Sequence, residues 1–239
     1  MNQINESKQA VTANTRNTVP KNVMVVSEKL TKAQLEEYHV LWQHYTDCKD
    51  EFLKRFSGHK YMVDVKACGT IRNMVRKEQQ SKKGTGQDLA KHYSLQTRHW
   101  VMAVADACQS INSMWSNLAN ALKRSIRDNS NILPDERLYL YLIVQDRMLW
   151  KCVIDNIPFP DEGLDVKFLD ARSKVEDSRV KYLHSYLRRK TRDKKPAPET
   201  HSTRCMLLDD NMYSIIVEAN ATYLEFMSPK PRKRYRVRL

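Results

Sequence analysis

The chain has 239 residues, 41% of them hydrophobic, and its 41 Lys and Arg residues outnumber 28 Asp and Glu residues, giving a formal net charge of +13. Such an excess predicts a polyanionic partner, either a nucleic acid or an anionic membrane. No stretch approaches the ~20 apolar residues of a membrane-spanning helix, and the N-terminus has no apolar signal region, so we expect a cytoplasmic protein. Five scattered cysteines without a C-x-x-C pair predict reduced thiols.

The first quarter of the chain predicts a flexible lead-in, one strand and one helix. Residues 1–20 are polar and predict a flexible segment. The β-branched run Val23–Val26 predicts a short strand. From Lys32 to Phe56 the apolar residues keep a helical spacing, with Thr31 as the expected cap and Gly58 as the stop.

Three further helices are predicted in the middle of the chain. A weaker one covers Tyr61–Gln80, and the polar loop SKKGTGQ follows it. The longest apolar stripe of the sequence extends from Trp100 to Ile126. Pro134 stands where a helix can start, and apolar residues then recur as far as Cys152, before the breaking segment IDNIPFPDEG.

The composition changes after Gly163. Between Lys167 and Thr200 there are 11 Lys or Arg residues against five acidic ones, which predicts a basic helix end followed by a Pro-rich connection. Four strand-like runs follow, namely TRCMLLD, MYSIIVE, TYLEFM and YRVRL. We expect them to form a small antiparallel β unit whose first strand is Val23–Val26, because an isolated strand would leave its backbone groups unpaired. In the last run Arg234, Arg236 and Arg238 are expected on one face, and Tyr235 and Val237 towards the core.

No catalytic constellation is recognisable. The sequence lacks G-x-S-x-G, G-x-G-x-x-G and G-x-x-x-x-G-K-[ST], so neither a serine hydrolase nor a phosphate-cradling loop is indicated. His39 and His44 are five residues apart, off the helical spacing for a shared metal ion, and His201 with Cys205 is the other near pair. Asp209 and Asp210 favour a turn. We therefore predict a non-catalytic protein without a metal or cofactor.

Nucleic-acid binding is the function that the charge pattern favours. The run from Arg188 to Lys195 fits either a solvated charged surface or a phosphate-binding surface. A second basic segment in the terminal strand, and tyrosines at 182, 186 and 235 between the charges, favour phosphate contact.

Two parts of the sequence resemble TnpB proteins, the transposon-encoded RNA-guided nucleases also called OrfB transposases. The tail, YLHSYLRRKTRDKKPAPETHSTRCMLLDDNMYSI followed by YLEFMSPKPRKRYRVRL, is similar to the segment just ahead of their RuvC nuclease domain. The front, VMVVSEKLTKAQLEEYHVLW, is similar to their opening strand and first helix, and HYSLQTRHWVMAVADACQSINSMW to their recognition-lobe helix. The resemblance covers residues 22 to 239. The acidic triad and the Cys-x-x-Cys zinc site of the RuvC domain are absent.

The resemblance implies an α+β fold in which a helical recognition lobe, residues 32–164, is inserted into a small wedge-type antiparallel β-barrel, residues 21–31 and 165–239. It implies a structured guide RNA and target double-stranded DNA as partners, with nuclease activity in a separate RuvC-bearing chain, in the nucleoid-associated cytoplasm of a prokaryote. The expected guide-RNA surface consists of Arg188, Arg189, Lys190, Arg192, Lys194, Lys195, Arg232, Lys233, Arg234 and Arg236.

The resemblance also implies that Gln96, Thr97 and Arg98, at the start of the longest helix, approach target DNA. Helix N-termini attract phosphates, and Arg or Gln can read base edges. The alternative is that Thr97 caps the helix and Arg98 is solvated. For the chain as a whole, the alternative function is a stand-alone helical DNA-binding regulator; a nuclease in its own right is disfavoured because no carboxylate cluster is present.

Overall fold

A computed structural model describes residues 29–80, 92–198, 200 and 205–239, and within them the chain is helical except for a C-terminal sheet. The seven α-helices that lie within the described residues are α1 (Lys32–Phe56), α2 (Cys68–Gln80), α3 (Thr97–Arg127), α4 (Pro134–Gln145), α5 (Arg147–Asp155), α6 (Val166–Ser173) and α7 (Asp177–Lys194). The strands are β1 (Tyr213–Glu218), β2 (Ala221–Met227) and β3 (Arg234–Arg238). None of the described helices is both long and apolar enough to cross a membrane.

The predicted helices at 32–56 and around 100–126 are confirmed, and their ends follow local chemistry. Thr31 caps α1 in a capping box with Gln34, and the helix ends just before Ser57 and Gly58. Helix α3 runs the full length of its apolar stripe and forms the centre of the core, in contact with α1, α2, α4 and α7.

The predictions over Tyr61–Gln80 and up to Cys152 were each wrong in one respect. In the segment Tyr61–Gln80, two short 3₁₀ turns precede α2 instead of a continuous helix. In the second turn the Val65 carbonyl accepts a hydrogen bond from Asn112 Nδ2 at 2.8 Å, so it is paired outside an α-helix. In the segment up to Cys152, Asp146 is extended and divides the segment into α4 and α5. Its carboxylate accepts from the amides of Met148 and Leu149, as an N-cap does.

The sheet is antiparallel, with order β1-β2-β3, and its three described strands do not close on themselves. The α+β class is therefore confirmed. The predicted strand TRCMLLD is wrong for its described part, residues 205–209. Leu207 N donates to the Tyr45 hydroxyl, and Asp209 O accepts from Met212 N in a turn. These two backbone groups are therefore paired outside a strand ladder. The predicted lead-in, residues 1–20, and the predicted strand Val23–Val26 lie outside the described residues.

The terminal strand alternates as predicted. Tyr235 and Val237 are buried, whereas Arg234, Arg236 and Arg238 are exposed on the other face. Tyr38 of α1 packs on the buried face, with its ring 4.8 Å from that of Tyr235. This contact attaches the sheet to the helical body.

Helices α6 and α7 pack in the same core as the preceding helices. Phe168 stacks on Tyr139, and the Tyr186 hydroxyl donates to Ser125 O at 3.0 Å. The Trp115 and Trp150 rings meet edge to face with 5.4 Å between their centroids, beneath α7. The division of the chain at residue 165 stays a prediction.

Candidate nucleic-acid interface

Helix α7 presents a basic face because its apolar face is fixed in the core. Leu183 and Leu187 are fully buried. Thr191, one turn further on, is also buried, and its hydroxyl accepts a hydrogen bond from Trp150 Nε1 at 3.0 Å. Since side chains three and four residues apart share one face, the Arg and Lys residues between these positions project away from the core.

An open cleft of about 810 Å³ lies along the C-terminal half of α7. We call it the basic cleft. Its cations are Arg188, Arg189, Arg192 and Lys195, and the segment Pro196–Pro198 continues its wall. Its other wall includes His59, from the first 3₁₀ turn, and Trp115, from the middle of α3. The cleft has the size range of sites that enclose a nucleotide-sized ligand.

The charge of the basic cleft is weakly compensated. Arg188 donates to two neutral oxygens, Asn156 Oδ1 at 2.7 Å and Val153 O at 3.3 Å, so its guanidinium is oriented while its charge remains available. Arg192 approaches the exposed carboxylate of Asp193 at 3.6 Å, a pair that water screens. Among the described residues no carboxylate forms an ion pair with Arg188, Arg189 or Lys195.

Lys195 and Trp115 contact each other within the lining of the cleft. The ammonium of Lys195 lies 5.4 Å from the Trp115 ring centroid, and burial lowers the pKa of this lysine. The indole Nε1 of Trp115 is buried and has no hydrogen-bond partner among the described residues. The cleft therefore combines four cations, the groups that bind phosphates, with a buried indole ring beneath Lys195.

The remaining α7 cations take different positions. Lys194 lines a neighbouring pocket of about 500 Å³, on the other side of Pro196–Pro198. This pocket also contains Lys49, whose charge is neutralised by Asp106 at 2.9 Å. Lys190 is partly buried and does not line the basic cleft.

Two of the four basic residues predicted at the sheet, Lys233 and Arg236, lie beside carboxylates. Arg236 pairs with Glu218 and approaches Glu225 at 3.9 Å, while its guanidinium lies 3.9 Å from the Tyr223 ring centroid. Arg234 donates to Ser214 Oγ at 2.9 Å. Of the other two sheet residues in the prediction, Lys233 lies 3.5 Å from a Glu37 oxygen and Arg232 is exposed with a φ of 63°.

The two basic groups lie on different parts of the molecule. The sheet meets α3 at His99, whose Nε2 is 3.1 Å from Met227 O, and the basic cleft meets α3 at Trp115. Sixteen residues of α-helix correspond to roughly 24 Å. A single nucleic-acid strand with a rise of about 3.4 Å per phosphate would need about seven nucleotides to reach from one to the other. A joint surface therefore stays a prediction.

The start of α3 is bound to the sheet. Gln96 is the N-cap residue and Thr97 is the first helical residue, so Thr97 does not cap the helix. The Gln96 amide donates to Ser228 O and, at 2.9 Å, to Lys230 O. Arg98 forms an ion pair with Asp209 at 3.0 Å. Both long side chains are thus already engaged within the protein, and the predicted contact with DNA stays a prediction.

The acidic pair Asp209 and Asp210 belongs to a turn, as predicted. Asp209 Oδ1 accepts from Asn211 N at 2.9 Å. Among the described residues, no three His, Cys, Asp or Glu side chains come together in a group that could hold a metal ion.

Sequence reasoning missed His59 and Trp115 as parts of the basic cleft. Trp115 belongs to the apolar stripe of α3 and is only 1% exposed, so its spacing indicates core packing alone. His59 reaches the cleft through the unpredicted 3₁₀ turn.

Comparison with protein-family models, with curated proteins and with solved structures found no match.

Proposed function

We propose that this chain binds RNA, with the basic cleft along α7 as the principal contact surface. The weakly compensated cluster of Arg188, Arg189, Arg192 and Lys195 carries this proposal. Four cations within one cleft attract phosphates.

The more specific form of the proposal follows the resemblance to TnpB proteins. The chain would then be a non-catalytic lobe that holds a structured guide RNA, helps to grip target double-stranded DNA and acts with a separate nuclease chain. A wedge-type β-barrel belongs to this form of the proposal, and it requires further strands beside β1–β3, such as Val23–Val26.

The first test is the nucleic acid that accompanies the protein. The full chain, expressed in bacteria and purified at low salt without nuclease treatment, should carry RNA, and gel analysis of the extracted RNA should show one discrete length. A broad size distribution would contradict the guide-RNA form, and protein free of RNA would contradict RNA binding itself.

The second test locates the surface by charge removal. In R189Q/R192Q two exposed cations of the cleft are lost while helix propensity is kept. With the extracted RNA as fluorescent probe, the slope of log Kd against log salt should fall by about 1.4, since each phosphate contact on a single strand contributes about 0.7. K167Q/K181Q removes the same charge from exposed lysines outside the cleft and is the matched control.

The two double variants distinguish the alternatives. Equal, small slope changes in both would mean that only the net charge matters and that the cleft is a solvated surface. Tighter binding of a DNA duplex than of an RNA hairpin of the same sequence would favour the stand-alone DNA-binding regulator.

A further inference from the structure

Two cysteines meet where α2 packs on α3. Cys68 is the first residue of α2, and Cys108 lies in the middle of α3. Asn112, one turn beyond Cys108, donates to Val65 O at 2.8 Å, three residues ahead of Cys68, so the packing of α2 on α3 brings the two thiols close together. Cys108 is 1% exposed, whereas Cys68 is only partly buried and is therefore open to a small reagent. The pair is formed by residues 40 positions apart in the sequence, so no short-range motif marks it.

The surroundings of Cys68 favour its thiolate. The residue stands at the N-terminus of a 13-residue helix, where the free backbone amides stabilise negative charge. Arg72 follows one turn later and folds back over this end of the helix: its Nη2 is 3.9 Å from the position that a Cβ on Gly69 would occupy. The hydrogen bond from Cys108 and the charge of Arg72 lower the pKa of Cys68, against the opposing effect of burial, whereas the same hydrogen bond and burial raise the pKa of Cys108, so Cys68 is the thiol that reacts first.

Cys48 and Cys152 provide the contrast within the same chain. Both are buried in the helical body, and burial raises the pKa of each. They have the properties of inert core thiols. Cys205 is exposed, but the structure gives it no thiol partner among the described residues.

We propose that Cys68 and Cys108 form a peroxide-sensitive dithiol, in which Cys68 is oxidised first and Cys108 resolves it to a disulfide. This proposal is independent of RNA binding. The Cys68 thiolate attacks one oxygen of a hydroperoxide, so an S–O bond forms, the O–O bond breaks, and the leaving oxygen takes up a proton as water or alcohol. Cys68 is then a sulfenic acid, oxidised by two electrons.

The second step forms the disulfide between the two cysteines. Cys108 sulfur attacks the Cys68 sulfenic sulfur, an S–S bond forms and the S–O bond breaks, and the hydroxyl leaves as water with the proton of the Cys108 thiol. One hydroperoxide has then accepted two electrons from two thiols. A dithiol reductant reverses the change.

The test uses the full chain carrying C205S, which removes the exposed thiol that could form intermolecular disulfides. After treatment with hydrogen peroxide at pH 7, trypsin digestion should yield residues 67–72 (ACGTIR) linked to the peptide of residues 99–123, and dithiothreitol should separate them. In C108S the sulfenic acid at Cys68 should persist and be trapped by dimedone. Dimedone labelling of C68S should be lost, because Cys108 is buried.

Arg72 provides a control. R72Q removes the positive charge beside Cys68, so the thiolate fraction should fall and oxidation at pH 7 should be slower than in the parent chain. Thermal melting checks that each variant is folded. The proposal is overturned if the wild-type cysteines, in the C205S background, give no peptide linking 67–72 to 99–123. It is equally overturned if Cys48 or Cys152 is oxidised as fast as Cys68.

Discussion

His184 should make the stability of the helical body depend on pH. This residue lies on α7, partly buried between Phe159 and Tyr139, and the Tyr139 hydroxyl is 2.9 Å from its Nε2. The hydroxyl can donate to a neutral Nε2 or accept from a protonated one, so this contact does not itself select the charge state. Burial, assisted by the positive charges of Arg188 and Arg172, lowers the pKa of His184 from 6.5 to about 4.

The sign and size of the effect follow from proton linkage. Below pH 6.5 the unfolded chain protonates this histidine while the folded chain keeps it neutral, so stability falls as the pH falls, until the folded pKa near 4 is reached. Between pH 7 and pH 4.5 the pKa difference corresponds to a loss of about 2 kcal/mol of unfolding free energy.

Urea unfolding at pH 7 and pH 4.5 measures this loss. In H184Q the side chain does not titrate, so the drop between the two pH values should shrink by about 2 kcal/mol. Y139F is the control: it removes the hydroxyl but keeps the buried imidazole, so it should lose stability at pH 7 and still show a large drop at pH 4.5. Parallel pH dependence in wild type and H184Q would refute the reasoning.

Three further outcomes are expected. T191V leaves the buried indole N–H of Trp150 unpaired and should cost about 1–3 kcal/mol, measured as a fall in Tm of about 2–4 °C per kcal/mol, whereas T191S should retain most of the stability. The Arg179 guanidinium lowers the pKa of the buried Glu136 carboxyl below 4.5. The stability difference between wild type and E136Q should therefore be present at neutral pH and shrink as the pH falls through the folded pKa of Glu136. A stability difference that is constant down to pH 3 would exclude this ion pair as its source. R236Q should reduce the salt slope of RNA binding by less than 0.7, because two glutamates already neutralise this arginine.

The sequence predicted those parts of the fold that depend on local periodicity. Helices α1 and α3 carry long apolar stripes, and the alternation of β3 is read directly from its residues. The break at Asp146 was not predicted, because apolar residues continue at helical spacing across it and only the capping bonds of its carboxylate end α4. The second 3₁₀ turn was missed for a similar reason: its Val65 carbonyl accepts a hydrogen bond from Asn112, a residue of another helix.

The candidate site was likewise predictable only in part from the sequence. The cations of α7 were predictable from composition, since a charged face on an amphipathic helix must point away from its buried stripe. Their depth of burial and their neighbours were not, because these depend on which distant residues pack beside them. Lys195 lies over Trp115 although 80 positions separate them in the sequence. Both residues line the cleft, so the packing of α3 beside the end of α7 helps to form it.

The contrast between the two basic groups follows from what surrounds each of them. On the sheet, strand pairing places β2 and the end of β1 beside Arg236. Each contributes a glutamate, so the charge of Arg236 is neutralised within the protein. Beside Arg188 the neighbouring groups are the Val153 carbonyl and the Asn156 amide oxygen, while the nearby Asp155 carboxylate is paired with His59 and Lys151. Among the described residues no carboxylate pairs with Arg188, Arg189 or Lys195, so a polyanion there displaces mainly water and counterions, whereas at Arg236 it must compete with two glutamates. The energetic centre of nucleic-acid binding should accordingly lie on α7, with the sheet, some 24 Å away along α3, as a weaker second contact.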